Sequence, residues 1–88
     1  MLKIYHRINS NYKLSKIDEK YGVEIDIRSF KESLIVGHEP FKKNIFLSNY
    51  LKNFKNRFII FNVKEEGIEK KIFNLIKKKK IKIFFFSM

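Results

Sequence analysis

Three short polar groupings stand out along the chain: His6-Arg7, Glu24-Ile25-Asp26 and His38-Glu39-Pro40. They contain the chain's only two histidines. Each histidine ends an apolar run that reads as a strand, residues 2–6 and 34–38. The acidic pair lies inside a third such run, residues 23–27. Residues two apart on a strand point to one face, and carboxylates that close repel each other unless a cation sits between them. Oxygen ligands of this kind suit Mg²⁺ or Ca²⁺. Imidazole titrates near neutrality and serves as a general acid or base, and a guanidinium forks onto phosphate oxygens. Two histidines, an acidic pair and an arginine at strand ends are the parts needed for metal-assisted cleavage of a phosphodiester. Each part also has a plainer reading. Glu24 and Asp26 would be a solvated strand face neutralised by Arg28, the histidines polar residues leaving the core, and Arg7 a surface charge.

The elements that must position these groups follow from periodicity. Residues 2–6 are apolar and β-leaning. Asn9-Ser10-Asn11 is a turn or helix-cap cluster. Leu14, Ile17 and Tyr21 share one face of a short helix that Gly22 ends. Residues 23–29 alternate strictly, with Val23, Ile25 and Ile27 on one face and Glu24, Asp26 and Arg28 on the other. Leu34-Ile35-Val36 is a short third strand, and Gly37 and Pro40 break the chain after it. Residues 45–54 show helical spacing, with Asn44 or Ser48 as the start. A compact strand covers residues 57–63, with Asn62 and Lys64 at its end. A helix follows Gly67, with Ile68, Ile72, Leu75 and Ile76 on one face and Lys77 to Lys80 at the negative end of its dipole. Residues 81–86 form a last strand. Strands alternating with helices predict βαβ units and a parallel sheet. Ligands gather at the carboxyl ends of strands in such sheets, which is where His6, Asp26, His38 and Lys64 fall.

Composition sets the bounds. With 88 residues there is room for one small domain, and ten Phe supply ample apolar bulk. Cysteine is absent, which removes disulfides and thiolate metal sites. No run approaches the ~18 apolar residues of a membrane span, and the first residues lack the apolar stretch of a signal peptide, so a cytoplasmic location is the expectation. The net charge of +11 arises from 20 Lys+Arg against 9 Asp+Glu. A basic balance of this size fits a polyanion partner. Yet arginine, the better reader of bases and phosphates, occurs only three times, and the Lys, Ile, Asn and Phe enrichment matches the codon bias of an AT-rich genome. Nucleic-acid binding by a small basic α/β module is therefore the alternative reading rather than the leading one. The Phe84-Phe85-Phe86 run reads as core strand and needs something to cover it.

Taken in order, the three groupings resemble the glycerophosphodiester phosphodiesterase family, within the phosphatidylinositol-phospholipase-C-like (β/α)8 barrels. That family carries a His-Arg pair on its first strand, Glu-x-Asp on its second and a His-Asp-Pro-like turn after a short third strand. The stretch Tyr21-Gly22-Val23-Glu24-Ile25-Asp26-Ile27-Arg28 carries most of the likeness. The resemblance implies a truncated (β/α)8 TIM barrel, with residues 1–88 as a single partial domain corresponding to roughly the first half. It implies His6 and His38 as acid and base, Arg7 and Lys64 on the substrate phosphate, and Glu24 and Asp26 holding a divalent cation, Mg²⁺ or Ca²⁺. Asn62 falls where the family has a third acidic ligand. Ile8 stands where the family has glycine, and Glu39 where it has aspartate. The substrate would be a small glycerophosphodiester, cleaved to glycerol phosphate and an alcohol. A full barrel needs about 250 residues, so the resemblance also implies self-association or a complementing half-barrel.

Overall fold

The structure is a computed structural model that describes residues 3–37 and 44–87. The described residues form a mixed α/β unit of six strands and three helices, in the order β1 (Ile4–Tyr5), α1 (Asn11–Ser15), β2 (Gly22–Phe30), β3 (Ser33–Val36), β4 (Ile45–Phe46), α2 (Leu47–Lys52), β5 (Ile59–Val63), α3 (Glu69–Lys79) and β6 (Phe84–Ser87). Strands β1, β2, β5 and β6 are mutually parallel and lie side by side in chain order. A helix intervenes in sequence between each of these and the next.

The alternation read in residues 23–29 sets the layering. Val23, Ile25 and Ile27 are fully buried, and Ile59, Phe61 and Val63 of β5 continue their layer. Leu14 of α1, Leu47, Tyr50 and Leu51 of α2, and Ile72 and Ile76 of α3 close over them as one apolar cluster. Because side chains alternate along a strand, the even-numbered residues must occupy the opposite face. The register arranges these in rows across the sheet: Glu24, Ile60 and Phe85 in one, and Asp26, Asn62 and Ser87 in the next. Lower on this face the Phe58 ring packs against the backbone of Gly22, so closely that a Cβ there would overlap it. Phe58 also meets Phe85 edge-on. The face is therefore apolar toward the amino ends of the strands and polar toward their carboxyl ends.

The expectation of an all-parallel sheet is corrected on one side. β3 runs antiparallel to β2, and β4 antiparallel to β3. Lys31 and Glu32 form a two-residue turn, both with positive φ (48° and 69°), which returns the chain directly along β2. A tight turn with two left-handed residues matches the twist of a hairpin and is ordinarily built from Asn-Gly. Other boundaries shift for local reasons. The first helix stops at Ser15, because Asp18 Oδ1 accepts from the Lys20 amide and its carbonyl accepts from the Tyr21 amide, making a turn instead. Ser10 caps that helix, its Oγ accepting from the Lys13 amide. Ile45 and Phe46 pair with β3 before α2 begins. Lys80 adopts φ 60°, and the Ile81 amide bonds back to the Ile76 carbonyl, a Schellman-type ending. Ile81 is consumed in stopping α3, and the last strand starts only at Phe84.

The turn gives a direct test. Replacing Lys31 by Asn together with Glu32 by Gly relieves two left-handed conformations, and stability measured by urea unfolding should rise by about 1 to 2 kcal/mol.

Candidate functional site

Asp26 is the centre of the carboxyl end. Its side chain is fully buried (0% exposed), although it belongs to the polar face of β2. A buried carboxylate is costly unless it is paired and hydrogen-bonded. Here Asn9 Nδ2 donates to Oδ2 at 2.8 Å and Asn62 Nδ2 donates to Oδ1 at 3.2 Å. The Lys64 ammonium lies 3.5 Å from Oδ1. Asn9 grips the residue twice, since its Oδ1 also accepts from the Asp26 amide at 2.9 Å.

Glu24 has another partner. Its Oε1 lies 3.1 Å from His6 Nδ1. A carboxylate there favours the tautomer with the proton on Nδ1, which leaves the Nε2 lone pair free to accept a proton. His6 itself is well exposed, with 69% of its side-chain surface open. Arg7, next in the chain, is exposed and has φ 53°. It stands in a conformation that costs a non-glycine residue about 1 kcal/mol.

The loop from His6 to Ser10 is held from two sides. The Ile8 amide bonds to the Glu24 carbonyl at 3.0 Å. The buried Tyr50 hydroxyl of α2 donates to the Ile8 carbonyl at 2.7 Å, and burial pushes that phenol well above its ordinary range. Beyond the site, the Glu65 carboxylate accepts from the Ser29 amide at 2.6 Å and the Ser29 hydroxyl at 2.7 Å, bracing β2 against the loop after β5.

The fold thus brings His6, Glu24, Asp26, Asn62 and Lys64 to one end of the sheet. His38-Glu39-Pro40 lies outside the described residues. Asn9 is the member that the sequence reading missed, having been taken for a turn or cap residue. Its partner is 17 positions away, and no local signal announces the bond. Ser87 was missed also, and only the β5–β6 register places it in the row of Asp26 and Asn62.

The donor set does not fit the divalent cation expected between Glu24 and Asp26. Such ions take six or more oxygens, with carboxylates prominent among them. Both oxygens of Asp26 already receive N–H groups of the chain, Asn62 turns its amide nitrogen toward the carboxylate, and an ammonium stands beside it. Among the described residues, no group of three or more His, Asp and Glu is placed to hold a metal ion. No helix among them is long and apolar enough to cross a membrane. No family model matches the chain, and no curated protein matches it either.

Two outcomes follow. Asn9→Ala removes a donor and an acceptor from buried partners, and should lower unfolding free energy by about 1 to 3 kcal/mol. The Ser29 bonds hold the Glu65 carboxyl below its ordinary range, so folding favours its ionised form. That stabilisation is complete above the carboxyl's unfolded pKa and is lost as pH falls through its lower folded value. Thermal melts across mildly to strongly acid pH should therefore show a smaller acid-induced loss in Glu65→Gln than in the parent.

Proposed function

We propose that this chain is the front half of a (β/α)8 barrel of the glycerophosphodiester phosphodiesterase type, and that its carboxyl-end cluster handles a phosphodiester. The supporting observation is the order of the parallel strands. β1, β2, β5 and β6 are neighbours in chain order, each followed or preceded by a helix in sequence. Singly wound barrels are built this way, with their chemistry at the carboxyl ends. His6, Asp26, Asn62 and Lys64 stand at those ends; Glu24 lies one row lower, level with Ile60 and Phe85, which with Phe58 below them are filler suited to a barrel interior. The open edge of β6 and the exposed Phe85 are the surfaces that further strands, from a second copy or a complementing half, would cover.

In this reading an oxygen nucleophile, either a neighbouring substrate hydroxyl or water, forms the new bond to phosphorus as the bond to the leaving alcohol breaks. His6, with Nδ1 held by Glu24, takes the nucleophile's proton on Nε2. The leaving oxygen receives a proton from a second group, the role for which the sequence offers His38. Lys64 and Arg7 neutralise the phosphate.

The test is turnover of a glycerophosphodiester such as glycerophosphocholine by the purified chain. Release of glycerol phosphate that falls about 10²- to 10⁴-fold in His6→Ala is the expected result. Equal rates in parent and variant, or a rate no higher than buffer from a folded sample, would overturn the proposal. Binding to DNA or RNA that weakens steeply with salt and survives Glu24→Ala with Asp26→Ala would favour the basic-module alternative instead.

A further inference from the structure

The chain carries 20 Lys and Arg residues, most of them simple surface charge. Lys64 is placed differently. Its side chain is only 25% exposed, and its ammonium stands 3.5 Å from a carboxylate that is wholly buried. That carboxylate is fixed by amides from two other elements, Asn9 before α1 and Asn62 on β5. Lys64 itself directly follows β5, and its amide bonds to the Ile27 carbonyl of β2 at 3.0 Å. Backbone and side chain are therefore both tied down, and the positive charge has a defined place at the carboxyl end of the sheet. A lysine has three donors and no acceptor, so an ion pair with one oxygen of Asp26 leaves it donors to give. The neighbouring residues in the Asp26 row, Asn62 and Ser87, are neutral and polar.

The two carboxylates accordingly divide their work. Glu24 faces His6, and Asp26 faces Lys64. Asp26, both of whose oxygens receive N–H groups of the chain, lacks the open oxygens that a dication shared with Glu24 would need. We propose that Lys64, anchored by Asp26, is the built-in cation that receives the substrate's phosphate, so that this site binds phosphate esters without a divalent metal. Asp26 is then a positioning residue, acting through the ammonium it holds, and Asn9 and Asn62 position Asp26. This inference rests on the phosphodiesterase reading for its substrate class, but its test does not depend on turnover.

The experiment is a titration of the folded chain with inorganic phosphate and with glycerol phosphate, followed by amide chemical shifts, once in EDTA and once in millimolar Mg²⁺ or Ca²⁺. The parent should bind both ligands in EDTA, with shifts confined to residues near His6, Asn62 and Lys64, and added metal should leave the affinity unchanged. Lys64→Gln should weaken binding about tenfold or more, Lys64→Arg should retain most of it, and Lys78→Gln, a change on the exposed end of α3, should have no effect. Asp26→Asn should weaken binding without removing the ammonium. If that variant unfolds, the Lys64→Gln and Lys64→Arg pair still decides the matter. Binding that requires the metal, binding in EDTA that is indifferent to Lys64→Gln, equal losses from Lys64→Gln and Lys78→Gln, or no binding by the folded parent in either buffer would each overturn the proposal. Phosphate binding in EDTA through Lys64, with no turnover of any glycerophosphodiester, would uphold it while sinking the phosphodiesterase reading. Turnover that appears only with metal would do the reverse.

Discussion

A buried negative charge is the constraint around which this end of the molecule is organised. Asp26 is on the face of β2 opposite the helices, yet water does not reach it. The Born cost of such a burial is several kcal/mol even after relaxation, and it has to be met by groups brought from elsewhere in the chain. Asn9 arrives from the loop after β1, Asn62 from the adjacent strand, and Lys64 from just past that strand's end. Three separate segments are thereby fixed at one point. The polar row that results is a consequence of satisfying Asp26 as much as of any requirement of chemistry.

The same constraint explains why the polar residues cluster at one end of the sheet only. At the other end, Gly22 has no side chain and the Phe58 ring fills the space above it, with Phe85 beside the ring. Among the described residues no buried charge lies there, and apolar contact suffices. The face changes character along the strands because β2 itself changes, from Gly22 through Glu24 to Asp26.

Much of this was legible in the sequence, for identifiable reasons. The strict alternation of residues 23–29 placed Glu24 and Asp26 on one face and the apolar residues on the other, and the structure has that arrangement. The apolar spacing around Ile72 and Ile76 gave the third helix. The mixed α/β class followed from such elements in succession. The hairpin was not legible, because a Lys-Glu pair carries none of the Asn-Gly signal that marks a two-residue turn. The bounds of the last strand were displaced, because nothing local shows that the Ile81 amide is spent on closing α3. The burial of Asp26 was hidden for a different reason. An alternating polar position reads as solvated, and only the meeting of Asn9, Asn62 and Lys64 over it shows that it is enclosed.

One edge of β2 is shared by two neighbours, β1 beside its first residues and β3 beside its last. Between them that edge is completed by the Ile8 amide, by Asn9 Oδ1 in place of a backbone carbonyl, and by the Gly37 amide on the Asp26 carbonyl. A side chain thus stands in for a stretch of missing strand. The substitution has a kinetic consequence. The Asp26 amide can exchange its hydrogen only when Asn9 lets go, and the same departure strips a donor from the buried carboxylate. Opening of the loop that carries His6 and loosening of the Asp26 anchor are one cooperative event rather than two. The His6 ring and the Lys64 ammonium therefore keep their alignment, or lose it, together.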